Sequence, residues 1–207
     1  MAARFALGGG DIIKDDQNLV DDFDGFKRRS RACLNAVEAA NDKTGRRCLY
    51  FPHVAAPGPE LRRHFEYVVE LGAPGVLMCP LIAGFDSMRA LAAESGLAVM
   101  AHPSMAGPYV VNEEGGVKHG VLLGDWMRLA GADVSVFPNA GGRFSFSPAE
   151  CEDIARHLRK PLGALAPAWP APAGGMSFDS LSAMVEAYGD DTVVLMGGAL
   201  FGQHKDL

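Results

Sequence analysis

Cysteine is scarce and scattered in this chain. There are four, Cys33, Cys48, Cys79 and Cys151, with no Cys-x-x-Cys pair. That excludes a disulfide scaffold and the usual zinc spacings, and it predicts reduced thiols. Long apolar runs are absent too. The longest uncharged stretch, from Pro161 to Phe178, is interrupted by Pro161, Gly163, Pro167, Pro170 and Pro172. No membrane span is therefore predicted. The N-terminus lacks a charged segment followed by a long apolar one, so no secretory leader is expected and the predicted location is cytoplasmic. Positive charge is also thin. The net charge is −6 and no basic stripe with interleaved aromatics occurs, which excludes the electrostatic footprint of a nucleic-acid binder. The one short basic run, Arg28-Arg29-Ser30-Arg31, predicts an exposed helix face.

What is present is a repeat of two alternating patterns. Short apolar runs fall at Asp11–Lys14, Cys48–Phe51, Gly75–Met78, Ala98–His102, Val134–Phe137, Leu162–Leu165 and Thr192–Met196. They recur at intervals of roughly 30 residues, the length of a βα unit. Between them lie amphipathic segments at Phe23–Asn41, Pro59–Leu71, Asp86–Ser95, Gly120–Ala130, Pro148–Leu158 and Asp179–Tyr188. Ser147-Pro148-Ala149-Glu150 reads as a capping box with proline at the first helical position. Gly72, Gly96 and Gly131 each follow a helical pattern, where a left-handed residue ends a helix.

Strands alternating with helices imply a parallel sheet. The fold class is α/β, and the strand count favours a TIM (β/α)8-type barrel over an open doubly wound sheet. An open sheet predicts a glycine-rich phosphate loop after the first strand, whereas this chain places its Gly-Gly pairs late, at Gly174-Gly175 and Gly197-Gly198. Late glycine loops are where barrels bind phosphate. Seven strands are visible, so the barrel over 1–207 is predicted to be incomplete, with its first strand preceding Met1 and its final helix missing.

In such barrels chemistry sits at the C-terminal ends of strands. The first run passes from Gly9-Gly10-Asp11-Ile12-Ile13-Lys14 straight into Asp15-Asp16-Gln17. One reading is a magnesium site, since magnesium takes hard oxygen ligands. A lysine belongs there only if CO2 has converted its amine to a carbamate. The other reading is a solvated acidic loop. His102 ends the fourth run and is the leading general-base candidate, with His53 the second. The alternative for each is a histidine satisfied by a backbone carbonyl. Cys79-Pro80 ends the third run, and Asn139 with the Gly141-Gly142-Arg143 loop follows the fifth. His64, His119, His157 and His204 fall on helices or the tail and are expected to face solvent. Arg143 could close over an anionic substrate, and the Gly174-Gly175 and Gly197-Gly198 amides could hold a phosphate.

At these residues the chain resembles the barrel domain of the RuBisCO superfamily, over essentially its whole length. Gly9 to Gln17 is similar to the family's Gly-Gly-x-Asp-Phe-x-Lys-Asp-Asp-Glu signature. The resemblance implies that Lys14 is carbamylated and that Lys14, Asp16 and Gln17 stand at the magnesium-ligand positions. It aligns Gly84-Phe85 with a Gly-Gly-Phe segment, His102 with the active-site histidine, Arg143 with the lysine of a mobile loop, and the late glycines with the phosphate site. The departures are specific. Gln17 replaces a glutamate ligand and Arg143 a lysine. Pro103, Val136 and Ala173 replace the arginine, histidine and serine that grip a second phosphate and the sugar. The resemblance therefore implies a RuBisCO-like protein rather than a carboxylase. Its expected chemistry is magnesium-dependent enolisation, isomerisation or decarboxylation of a phosphorylated sugar derivative, in a homodimer or higher oligomer. A different reading is a truncated, catalytically silent barrel that serves only in folding or association.

Overall fold

The computed structural model describes residues 1–112, 114–142, 146–174 and 176–197. Six strands carry the fold: β1 (Ile12–Lys14), β2 (Leu49–Phe51), β3 (Gly75–Met78), β4 (Ala98–Ala101), β5 (Val134–Pro138) and β6 (Trp169–Ala173). The helices are α1 (Ala2–Leu7), α2 (Phe23–Thr44), α3 (Gly58–Leu71), α4 (Pro80–Ala83), α5 (Phe85–Ser95), α6 (Gly107–Val110), α7 (Met127–Leu129), α8 (Pro148–Arg159) and α9 (Leu181–Tyr188). A π-helical turn, Val121–Trp126, leads into α7.

All strand pairs are parallel. β1 pairs with β2, and β3 to β6 pair in sequence order. The two groups are joined beyond the end of β2. The Val54 amide donates to the Leu77 carbonyl at 2.9 Å, and the Leu77 amide to that of Pro52 at 2.9 Å. The result is one continuous curved sheet with helices outside, an α/β barrel wall as the alternation predicts.

Strand side chains alternate between the two faces. Phe51, Leu77, Met100, Val136 and Ala171 form one buried cluster inside the curve. Their chain neighbours Val76, Met78, Val99, Ala101 and Phe137 join the larger cluster under the helices, with Phe65, Val68, Met88, Leu122 and Ile154. Gly75 is fixed by the interior, because a Cβ there would meet the Phe51 ring and the Ala98 carbonyl oxygen at 2.6 Å.

The helix signals hold. Asp22 caps α2 by accepting from the Gly25 amide at 2.7 Å. The capping box of α8 is reciprocal, with the Ser147 amide donating to Glu150 Oε2 at 2.7 Å and the Glu150 amide to Ser147 Oγ at 3.3 Å. Gly72 and Gly96 end α3 and α5 at φ 77° and 67°, a conformation that costs other residues more.

Four expectations are corrected. The sixth strand is Trp169–Ala173, not Leu162–Leu165, and Leu162 and Leu165 form only an isolated antiparallel bridge. The run Thr192–Met196 is extended rather than a regular strand, although Val193 and Leu195 donate to the Pro170 and Pro172 carbonyls at 2.9 and 3.4 Å. Those prolines lack the N–H groups that would return the bonds, so the ladder there runs one way. His64 and His157 are buried rather than solvated. His64 Nδ1 lies 2.8 Å from the Glu60 carbonyl, and His157 Nδ1 lies 2.8 Å from Asp125 Oδ2. His119 is half-buried against the Phe146 ring, and His204 falls outside the described residues. Finally, the Arg28–Arg31 run is not uniformly exposed, since Ser30 is fully buried and Arg29 is drawn inward by an acid. All four cysteines are free. Among the described residues, no helix is long and apolar enough to cross a membrane.

Candidate active site at the strand ends

The inward register that buries Phe51, Leu77 and Met100 continues two residues on to His53, Cys79 and His102. On β1 it places Lys14 beside Phe51. Four chemically capable side chains from four adjacent strands thus gather at the C-terminal mouth of the barrel. They interact. Cys79 Sγ lies 3.5 Å from His53 Nε2. The charge of Lys14 acts on both Cys79 and His102.

Lys14 is mostly enclosed, and its ammonium donates to the Asp15 carbonyl at 3.1 Å. Burial lowers its pKa, against the opposing pull of the Asp16 and Asp15 carboxylates. A lowered amine has a larger neutral fraction, and the neutral amine is the form that reacts with CO2 or accepts a proton. His102 is pushed down to about 4, chiefly by burial and then by the Lys14 charge, with His53 adding to it. It is a neutral imidazole at pH 7. His53 is lowered as well, first by burial.

The two acids after Lys14 have different surroundings. Asp15 is buried and saturated: it accepts from Tyr50 Oη at 2.9 Å and the His53 amide at 3.0 Å, and it pairs with Arg29. Burial, then the Asp15 charge, holds the Tyr50 phenol above its ordinary range, so it remains a donor. Asp16 is exposed, with Oδ1 accepting from the Asn18 amide at 2.9 Å. Gln17 is half-buried next to it. Among the described residues, no group of three His, Cys, Asp or Glu side chains stands together as a metal site.

Of the other predicted residues, Gly174 has φ 87° and its carbonyl oxygen lies where a Cβ on Gly142 would fall. The loops after β5 and β6 thus touch through glycine. The Asn139 amide donates to the Ala173 carbonyl at 2.8 Å, and its side chain is engaged by the Tyr188 hydroxyl. Gly197 is half-buried at the end of the seventh run. Arg143, Gly175 and Gly198 lie outside the described residues. Arg29, Tyr50 and Ser104 carry contacts at the mouth that motif reading did not single out. Ser104 had one available signal, its position two residues after a strand-end histidine.

A parallel barrel with its ionisable groups gathered at the strand C-termini defines the class. A crystal structure of a Rubisco-like protein from Rhodopseudomonas palustris matches it with a TM-score of 0.87 and 38% identity, over 94% of this chain and 54% of that one. Residues 1–142 match the family described as ribulose bisphosphate carboxylase large chain, catalytic domain, and the chain belongs to that family. A 5-methylthioribulose-1-phosphate isomerase of Rhodospirillum rubrum is 37% identical over 97% of this chain and 52% of its own length. A 2,3-diketo-5-methylthiopentyl-1-phosphate enolase of Geobacillus thermodenitrificans is 33% identical over 97% and 49%. The chain spans about half the length of these relatives.

Proposed function

We propose that this chain is the barrel domain of a RuBisCO-like enzyme that enolises, isomerises or decarboxylates a phosphorylated sugar derivative and does not fix CO2. The observation that carries the reading is the coupled pair Lys14 and His102, both desolvated at the barrel mouth and both shifted toward neutrality. The isomerase and enolase relatives support the substrate class. Val136 and Ala173 support the negative half, because neither side chain can donate to a second phosphate, and Pro103 lacks even an amide N–H.

Lys14 in its carbamate form and Asp16 would hold magnesium, with the Gln17 amide oxygen as the neutral third ligand. The chemistry of this set fits a hard cation that is satisfied by one or two carboxylates and substrate oxygens. When bound, the metal stabilises negative charge developing on a substrate oxygen. The residues supply the rest. Lys14 accepts the proton lost from the carbon beside the carbonyl, as neutral amine or as carbamate. His102 holds a proton against the substrate oxygen. The Gly174 and Gly197 amides bind one phosphate, a role the resemblance extends to Gly175, Gly198 and the cation Arg143, which lie outside the described residues. The assembly, as the resemblance implies, is a homodimer or higher oligomer.

The test is solvent deuterium exchange. The purified chain is incubated in D2O with magnesium, bicarbonate and each of the two phosphates named for its relatives, and carbon-bound deuterium is read by NMR. Incorporation that Lys14→Ala and His102→Ala abolish is the expected result. No incorporation, together with no magnesium-dependent thermal shift, would leave the silent barrel as the function. Full exchange in both variants would remove these two residues from the mechanism.

A further inference from the structure

Ser104 approaches His102 twice. Its amide donates to His102 Nδ1 at 3.2 Å, and its hydroxyl lies 2.8 Å from the same nitrogen. An N–H can only donate, so Nδ1 must be the bare nitrogen of the neutral ring and Nε2 must carry the proton. The turn is built to hold this. Met105, the next residue, has φ 70°, a conformation uncommon outside glycine and concentrated where surroundings over-determine the backbone.

The arrangement extends across the mouth. Cys79 Sγ faces His53 Nε2 at 3.5 Å. His53 Nδ1 lies 3.2 Å from the Leu19 carbonyl, an acceptor only, so this nitrogen carries the proton. His53 Nε2 is then bare and accepts from the Cys79 thiol. The two histidines are held in opposite tautomers, one by a serine and one by a backbone carbonyl, with Cys79 between them.

We propose that Ser104 is a positioning residue that fixes His102 as the Nε2–H tautomer, so that His102 acts as a hydrogen-bond donor to the substrate oxygen and not as the base. Nε2 already holds its proton and Nδ1 is occupied, so neither ring nitrogen is free to take a proton from carbon. Burial that keeps the ring neutral at pH 7 agrees with this assignment. The catalytic consequence rests on the enolising function proposed above, whereas the tautomer does not.

The experiment reads the tautomer without substrate. The full chain is labelled with 15N in its histidine rings, and His102→Asn assigns the signals. At pH 7 the shifts and one-bond N–H couplings should report a bare Nδ1 and a protonated Nε2 on His102. A proton on Nδ1, or an equal mixture of tautomers, would overturn the proposal. Ser104→Ala keeps the amide donor, so Nδ1 should stay bare, but its 15N signal should move as the hydroxyl contact is lost, and Ser104→Thr should restore the wild-type shift. An unchanged spectrum in Ser104→Ala, folded by near-UV circular dichroism, would remove the side chain from the role. If that variant does not fold, the wild-type measurement and Ser104→Thr still decide. In the exchange assay Ser104→Ala should lower kcat with KM unchanged. The expected tautomer with no exchange activity would reject the enolising function alone. Activity with the other tautomer would reject this proposal alone.

Discussion

The Asp15 carboxylate and the Arg29 guanidinium form a largely buried ion pair that ties the end of β1 to the second turn of α2. Arg29 also holds Asp21 Oδ2 at 2.8 Å, so it closes the whole loop between the two elements. Breaking a buried pair by deleting one partner typically costs about 3–5 kcal/mol, because the other charge is stranded. Asp15→Ala should therefore lower the urea unfolding free energy by an amount of that order, and Asp16→Ala, at an exposed site, by little. Equal effects of the two substitutions would show that the acidic pair is not divided into a structural and a functional member.

The pH dependence of stability follows from His102, whose pKa is lowered from 6.5 to about 4. Between those values the unfolded chain binds a proton that the folded chain does not. Stability contributed by the neutral ring is complete above pH 6.5 and is lost as pH falls toward 4. The loss by pH 5 should be about 2 kcal/mol, and the lowered His53 adds to it with the same sign. Urea titrations at pH 7.5, 6.0 and 5.0 should show a steeper fall for the wild type than for His102→Gln. Parallel curves would mean that the ring titrates normally in the folded protein.

At the proposed magnesium site Gln17 would offer a neutral oxygen where a carboxylate would add charge. Gln17→Glu should strengthen the magnesium-induced thermal shift in the presence of bicarbonate, while Gln17→Leu should weaken it. Differential scanning calorimetry across a magnesium series reads both. If all three proteins respond alike, position 17 is not a ligand.

Most of the wall was legible because strand side chains sort by a period of two and helix ends carry their own chemistry. Val76, Val99 and Phe137 lie under the helices, and Ser147 and Glu150 cap as their spacing predicts. The sixth strand was not legible, because Pro170 and Pro172 read as strand breakers. In the fold they act as acceptors toward Val193 and Leu195, so the missing N–H groups break no β5 contact. That Lys14 and His102 fall at strand ends, with Asp16 just beyond β1, could be read from the sequence alone. The different burial of Asp15 and Asp16 could not, because it depends on Arg29, 14 residues from Asp15, and Tyr50, 35 residues away. The solvated face assigned to His157 failed for a related reason: Asp125, which meets it, comes from another turn of chain 32 residues distant.

Gly142 tests whether the glycine loops work as one phosphate cradle. A Cβ at this position would fall on the Gly174 carbonyl oxygen and crowd that of Asn139 at 3.2 Å. Neither atom is the end of a flexible side chain, so the loop after β5 must move away from the loop after β6. Gly142→Ala should leave the buried clusters intact, since Gly142 belongs to none of them. Its stability change should remain within the 1–3 kcal/mol typical of local overpacking. Its phosphate affinity should fall, because the Gly174 backbone would no longer sit where the fold holds it. Isothermal titration with the phosphorylated substrate against its dephosphorylated form separates the two effects. A selective loss for the phosphate form is expected, and an equal loss for both would place the phosphate elsewhere at the mouth.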